Sequence, residues 1–77
     1  MARVLIVDDE KTFRVAAQAG LAAEGHEVRT AASGGEGLAI ARSFAPDIVV
    51  LDRNLPDADG LSWRASARRA ATTPPSW

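Results

Sequence analysis

The chain has no cysteine. That excludes disulfides and thiolate metal ligands, and it fits a reducing compartment. No apolar run approaches the roughly 20 residues that a membrane span needs. The N-terminus offers one arginine and then a short run broken by acids, which is not a signal peptide. The expected location is the cytoplasm. Net charge is also scarce, at −1 over 77 residues, so the totals name no nucleic-acid or membrane partner. At that length there is room for one small domain. Its 47% apolar and 25% charged residues are the ordinary balance of a globular chain. The charges are unevenly spread: residues 1–60 hold all ten acids and six of the nine bases, whereas residues 61–77 hold three arginines and no acid.

Two short apolar runs stand out, "RVLIVDDE" at 3–10 and "DIVVLDRN" at 47–54. Both are rich in β-branched residues and do not alternate. That pattern suits strands buried on both faces, as in a parallel sheet flanked by helices. Between them, "KTFRVAAQAGLAAEGH" places Phe13, Ala16, Ala17, Gly20 and Leu21 on one helical face. Gly25 suits the left-handed residue that ends that helix. "EVRTAA" gives a short strand through Val28, and "SGGE" at 33–36 matches a capping box, with Ser33 and Glu36 as its two members. A second helix turns Ile40, Ala41 and Phe44 inward, with Gly37 inside it at a cost of about 1 kcal/mol relative to alanine. The order is β-α-β-α-β with right-handed crossovers. After Leu61 the pattern fails. "SWRASARRAATTPPSW" allows about two helical turns, but Arg64 falls where an inward-facing helix wants an apolar residue, and "TTPP" ends any helix. Residues 62–77 are expected to be a short helix or a poorly folded tail.

Both apolar runs close on acids: Asp8 and Asp9 in one, Asp52 in the other. In an open parallel sheet, ligands bind beyond the carboxyl ends of the strands. If the first and third strands are adjacent, the three carboxylates cluster there. At ~4 Å and an effective dielectric of ~20, each pair costs on the order of 4 kcal/mol. Proton uptake or a cation must offset that. Hard oxygen donors with open positions suit Mg²⁺, usually completed by a phosphate. A carboxylate beside such an ion can attack a phosphoryl group and form an aspartyl phosphate. Any one of these aspartates is equally well explained by turn chemistry; their joint placement on matching strand ends is not.

The segments "VLIVDDE" and "VVLDRNLPDADG", and the spacing between them, resemble the receiver domain of bacterial two-component response regulators. The resemblance covers residues 2–61, about the first half of such a domain. It implies a flavodoxin-like α/β fold, here incomplete, with strand order 2-1-3. By position, Asp52 matches the phospho-acceptor, Asp8 and Asp9 match the acidic pair that holds Mg²⁺, and Asn54 matches the residue whose main-chain carbonyl completes the metal site. Pro56 and Gly60 match the loop after the third strand. The implied phosphodonor is a sensor histidine kinase. The family also carries a Ser or Thr after a fourth strand and a Lys after a fifth, which these 77 residues do not reach. The expectation is therefore a partial receiver over 1–61 and an anomalous tail over 62–77. One reading of that tail is out-of-frame translation, because the shifted codons admit a receiver-like "DDTPVV" over its last residues.

Other residues make weaker claims. Glu10 is acidic where the family often is, but a solvated loop acid explains it as well. Asp57 and Asp59 read as loop or helix-cap residues, Lys11 as helix surface, His26 as an exposed residue after a helix end, and Arg53 as a neighbour of the site at most. Trp63 and Trp77 receive no role. An enzyme in its own right is not expected: aspartyl-phosphate hydrolases want a second Asp two residues after the first, and that position is Asn54. The reading is phosphorelay signalling through Asp52 with Mg²⁺ and no direct contact with nucleic acid or membrane. The alternative is an assembly half-domain that self-associates through residues 47–52, whose uncharged strand would lie at a sheet edge.

Overall fold

The computed structural model describes residues 1–52, 55 and 63–65. Five elements follow in order: β1 (Arg3–Val7), α1 (Lys11–Ala23), β2 (Glu27–Ala31), α2 (Gly34–Phe44) and β3 (Ile48–Leu51). The strands form one parallel sheet in the order β2-β1-β3. The parallel direction is what apolar runs separated by amphipathic helices lead one to expect, and the order is the one the family resemblance implies. No helix among the described residues is long and apolar enough to cross a membrane.

β1 is central, and Leu5, Ile6 and Val7 are wholly inaccessible. The two sheet faces build separate cores. On one, Leu5, Val7 and Ala31 pack with Val49 and Leu51 under Leu38, Ile40 and Ala41 of α2. On the other, Val4, Ile6 and Val28 meet Ala17 and Leu21 of α1.

The helix ends are fixed by local chemistry. Ser33 caps α2 by accepting the Glu36 amide at 3.2 Å, while the Glu36 carboxylate accepts from Ala32 at 2.9 Å, reaching back just beyond the cap. α1 ends in a double backbone closure: Gly25 donates to Ala22 and His26 to Leu21, with Gly25 at φ 89°. Such a turn needs a left-handed residue, which glycine adopts without a Cβ penalty. α2 makes the equivalent turn on Ala45, at φ 50°.

Two expectations are corrected. First, α1 is rotated from the predicted face. Arg14, Ala17 and Leu21 are half-buried, whereas Phe13, Ala16 and Gly20 are exposed, because the helix lies over β1 and β2 and leaves β3 uncovered on that side. Second, His26 is half-buried, and its Nδ1 accepts the Ala2 amide at 3.0 Å, tying the start of β1 to the start of β2. Of the segment expected to be a short helix or a poorly folded tail, residues 63–65 are described, and Trp63 among them joins the core. Trp63–Ala65 is helical, and Trp63 is 1% exposed against Leu5, Val7, Ala31, Ala41 and Leu55. Residues 62 and 66–77 lie outside the described residues, as does Trp77.

Trp63 helps to explain Gly37 of α2. Its indole Nε1 donates to the Gly34 carbonyl at 2.9 Å. A Cβ at Gly37 would stand 2.8 Å and 3.2 Å from the Val7 methyls and 3.3 Å from the Trp63 ring. Gly37, on the buried face, therefore lets the helix approach β1 and the indole closely. The roughly 1 kcal/mol helical advantage of alanine is outweighed by overpacking, typically 1–3 kcal/mol, because Val7 is enclosed on all sides. Gly37→Ala is thus expected to destabilise the chain by about 1 kcal/mol net. Trp63→Ala should cost ~3–5 kcal/mol, much of the total a domain of this size holds. Urea unfolding followed by circular dichroism measures both; a Gly37→Ala midpoint at or above wild type would refute the close-approach argument.

Candidate functional site

The acids sit where the ladder ends. The Asp8 amide donates to Ala31 at 3.0 Å, and the Asp52 amide donates to Val7 at 2.9 Å. Each is the first residue beyond its strand, and Val7 and Leu51 are register partners. Both side chains therefore leave the same edge of the sheet. Asp9 follows on the turn into α1. Carboxylate oxygens of Asp8, Asp9 and Asp52 all lie within 4.8 Å of one another. Asp8 and Asp52 are half-buried and Asp9 is exposed. The sequence-predicted trio is thus brought together by the fold.

Two further contacts shape the turn. Asp8 Oδ1 accepts the Glu10 amide at 2.8 Å, a short Asx-type closure. Arg14 Nη1 donates to the Asp8 carbonyl at 2.8 Å from within α1. Glu10 is exposed and serves as the N-cap of α1 without a side-chain cap bond, and Lys11 is exposed on the first turn, as expected. Arg14 was not anticipated. Asn54, Arg53, Pro56, Asp57, Asp59 and Gly60 lie outside the described residues, so the carbonyl expected from Asn54 does too.

The donor set is chemically uniform. Three hard carboxylate oxygens at the solvent edge, close enough to share one ion, fit a small divalent cation such as Mg²⁺. The same apolar strands that bury their side chains bring these like charges together.

The chain belongs to the response regulator receiver domain family, whose profile matches residues 4–76. The match runs past residue 61, where the resemblance in sequence faded, and takes in Trp63. PilH of Pseudomonas aeruginosa is 40% identical over 73 residues, covering 95% of this chain and 60% of that protein. The transcriptional regulatory protein AfsQ1 of Streptomyces coelicolor is 39% identical over 74 residues, covering 96% of this chain and 33% of its own length. The chain thus spans a third to three-fifths of these relatives. Among solved structures, the chemotaxis protein CheY4 of Vibrio cholerae superposes with a TM-score of 0.83 at 38% identity, over 90% of this chain and 57% of that one. The receiver domain of the hybrid histidine kinase CckA gives 0.83 at 37% identity, over 95% and 69%. The family is one of signalling modules in phosphorelays, and its members bind Mg²⁺ through an acidic cluster.

Removing one acid should relieve repulsion when no cation is present. Asp9→Asn is expected to stabilise the metal-free chain by of order 1 kcal/mol at low salt, with the gain shrinking as ionic strength rises. Thermal unfolding in chelator at two salt concentrations checks this; unchanged or lowered stability at low salt would show that the charges are not in conflict.

Proposed function

We propose that this chain receives a phosphoryl group on Asp52. The observation that carries the reading is the Asp8, Asp9 and Asp52 cluster at the carboxyl ends of two adjacent parallel strands. Asp8 and Asp9, with Asp52 and the main-chain carbonyl of Asn54, would hold Mg²⁺. When bound, that ion neutralises charge on the phosphoryl oxygens and offsets the repulsion among the acids. Asp52 is the nucleophile. A carboxylate oxygen attacks phosphorus as the bond to the donor breaks, leaving an aspartyl phosphate and a free leaving group. The donor is the phosphohistidine of a sensor kinase, whose departing imidazole nitrogen takes up a proton. Asp8 and Asp9 do not react; they hold charge and orientation. The partner is therefore a histidine kinase, and the compartment is the cytoplasm.

The test uses a small phosphoryl donor with Mg²⁺ and intact-mass detection. The 77-residue chain should gain one phosphoryl group, and Asp52→Asn should gain none. Lys11, the one lysine in these 77 residues, is exposed at the start of α1, and among the described residues no lysine bonds to the acid cluster, so labelling of the 77-residue chain is expected to be slow. Loss of one preorganised donor to such charge typically costs ~10²–10³ in rate. Equal labelling of Asp52→Asn would remove Asp52 as the acceptor.

A second reading, an assembly half-domain, rests on β3. Ile48 is 47% and Val50 38% exposed on the face that α1 leaves open. Short uncharged strands of this kind recruit others. Sedimentation at rising concentration tests it. Association that Val50→Lys reduces would favour that reading, and a monomer indifferent to the substitution would end it.

A further inference from the structure

We infer that Arg14 is a positioning residue for the metal-holding acids, an inference that rests on the proposed Mg²⁺ site. Asp8 lies on a turn that belongs neither to β1 nor to α1. Its amide is held by Ala31 and its Oδ1 by the Glu10 amide, both through backbone groups. Its carbonyl is held by a side chain, Arg14 Nη1 at 2.8 Å. That carbonyl shares a planar peptide unit with the Asp9 amide. One hydrogen bond from Arg14 therefore fixes the plane that joins Asp8 to Asp9, and with it the direction in which both acids leave the chain.

Arg14 shares the sheet-facing stripe of α1 with Ala17 and Leu21, at the end nearest the acids. Phe13 and Val15, on either side of it, are exposed, while Arg14 is half-buried against the turn. A guanidinium beside a cation site repels the cation. On charge alone, its removal should tighten Mg²⁺ binding. On positioning, its removal should weaken binding, because groups that orient metal ligands typically contribute ~10–100-fold to affinity. The two accounts differ in sign, so a single measurement separates them.

Mg²⁺ alone is titrated calorimetrically into the full 77-residue chain and into Arg14→Met and Arg14→Lys. Methionine keeps the apolar stem and removes both donor and charge; lysine keeps a charged donor. Arg14→Met should bind Mg²⁺ about tenfold more weakly, while Arg14→Lys stays within about threefold of wild type because an ammonium can also donate to a carbonyl. Unfolding midpoints in chelator should remain alike for all three chains, which separates the effect from a general loss of fold. Equal or tighter binding by Arg14→Met overturns the inference, and so does a loss in Arg14→Lys as large as in Arg14→Met. Wild-type chain that binds no Mg²⁺ overturns the proposed site itself, a result distinct from either.

Discussion

Four backbone pairings, from Val4 with Ile48 to Val7 with Leu51, decide where Asp8 and Asp52 can be. Each acid is the next residue on its strand, so the register of the apolar cores is also the register of the charges. A slip of one residue would exchange the faces of β3, moving Val49 and Leu51 out of the core under α2 and carrying Asp52 away from Asp8. The two faces are not interchangeable. One is closed by α2, Leu55 and Trp63, the other only partly by α1. Apolar packing thus selects the register, and the acids come together as its consequence.

The same asymmetry sets the balance of stability. On the α2 side, close approach is permitted by Gly37 and filled by one indole, whose N–H finds the Gly34 carbonyl. On the α1 side, only Ala17 and Leu21 of the helix meet the core, and Ile48 and Val50 stay exposed. A core concentrated on one face makes the fold depend on a single large side chain more than a symmetric one would. Trp63 also touches the helix whose N-terminus follows β2, so the closed face and the acid-bearing ends of the strands share the same scaffold.

Much of this was legible in the sequence, for a definite reason. Strand and helix positions follow from local period and caps: "VLIV", "IVVL", Ser33 with Glu36, and Gly25 each carry their own signal within a few residues. The acidic trio was legible because strand ends and sheet topology convert a linear pattern into a place. What escaped depends on contacts between distant residues. Trp63 lies in a stretch whose own pattern is poor, so nothing local marks it as a core residue. Gly37 taken alone reads as a helix defect, whereas with Val7 and Trp63 it is a packing requirement. Arg14 bonds to a carbonyl, a partner that every residue offers and no sequence marks. The rotation of α1 was missed because an alanine-rich helix has little apolar contrast around its circumference, so its buried face is chosen by the sheet beneath it.

A local conflict at the strand ends is the most informative feature among the described residues. Parallel strands, a capped helix and enclosed valines all favour one fold, yet at the ends of β1 and β3 that fold holds three carboxylates within 4.8 Å of one another. Nothing in apolar packing requires acids there; asparagine or serine would end the strands and form the same turn to Glu10 without repulsion. Places where an otherwise consistent sequence breaks a local rule are where function is expected. The repulsion is an energy that a bound cation can recover, so a site that is unfavourable when empty is selective for a positive ligand. Rigid attachment sharpens the effect: the β1 ladder holds Asp8 and Asp52 by their backbones, leaving them little freedom to move apart. The apolar strand therefore ends in a carboxylate because burial supplies the rigidity that makes the carboxylate useful.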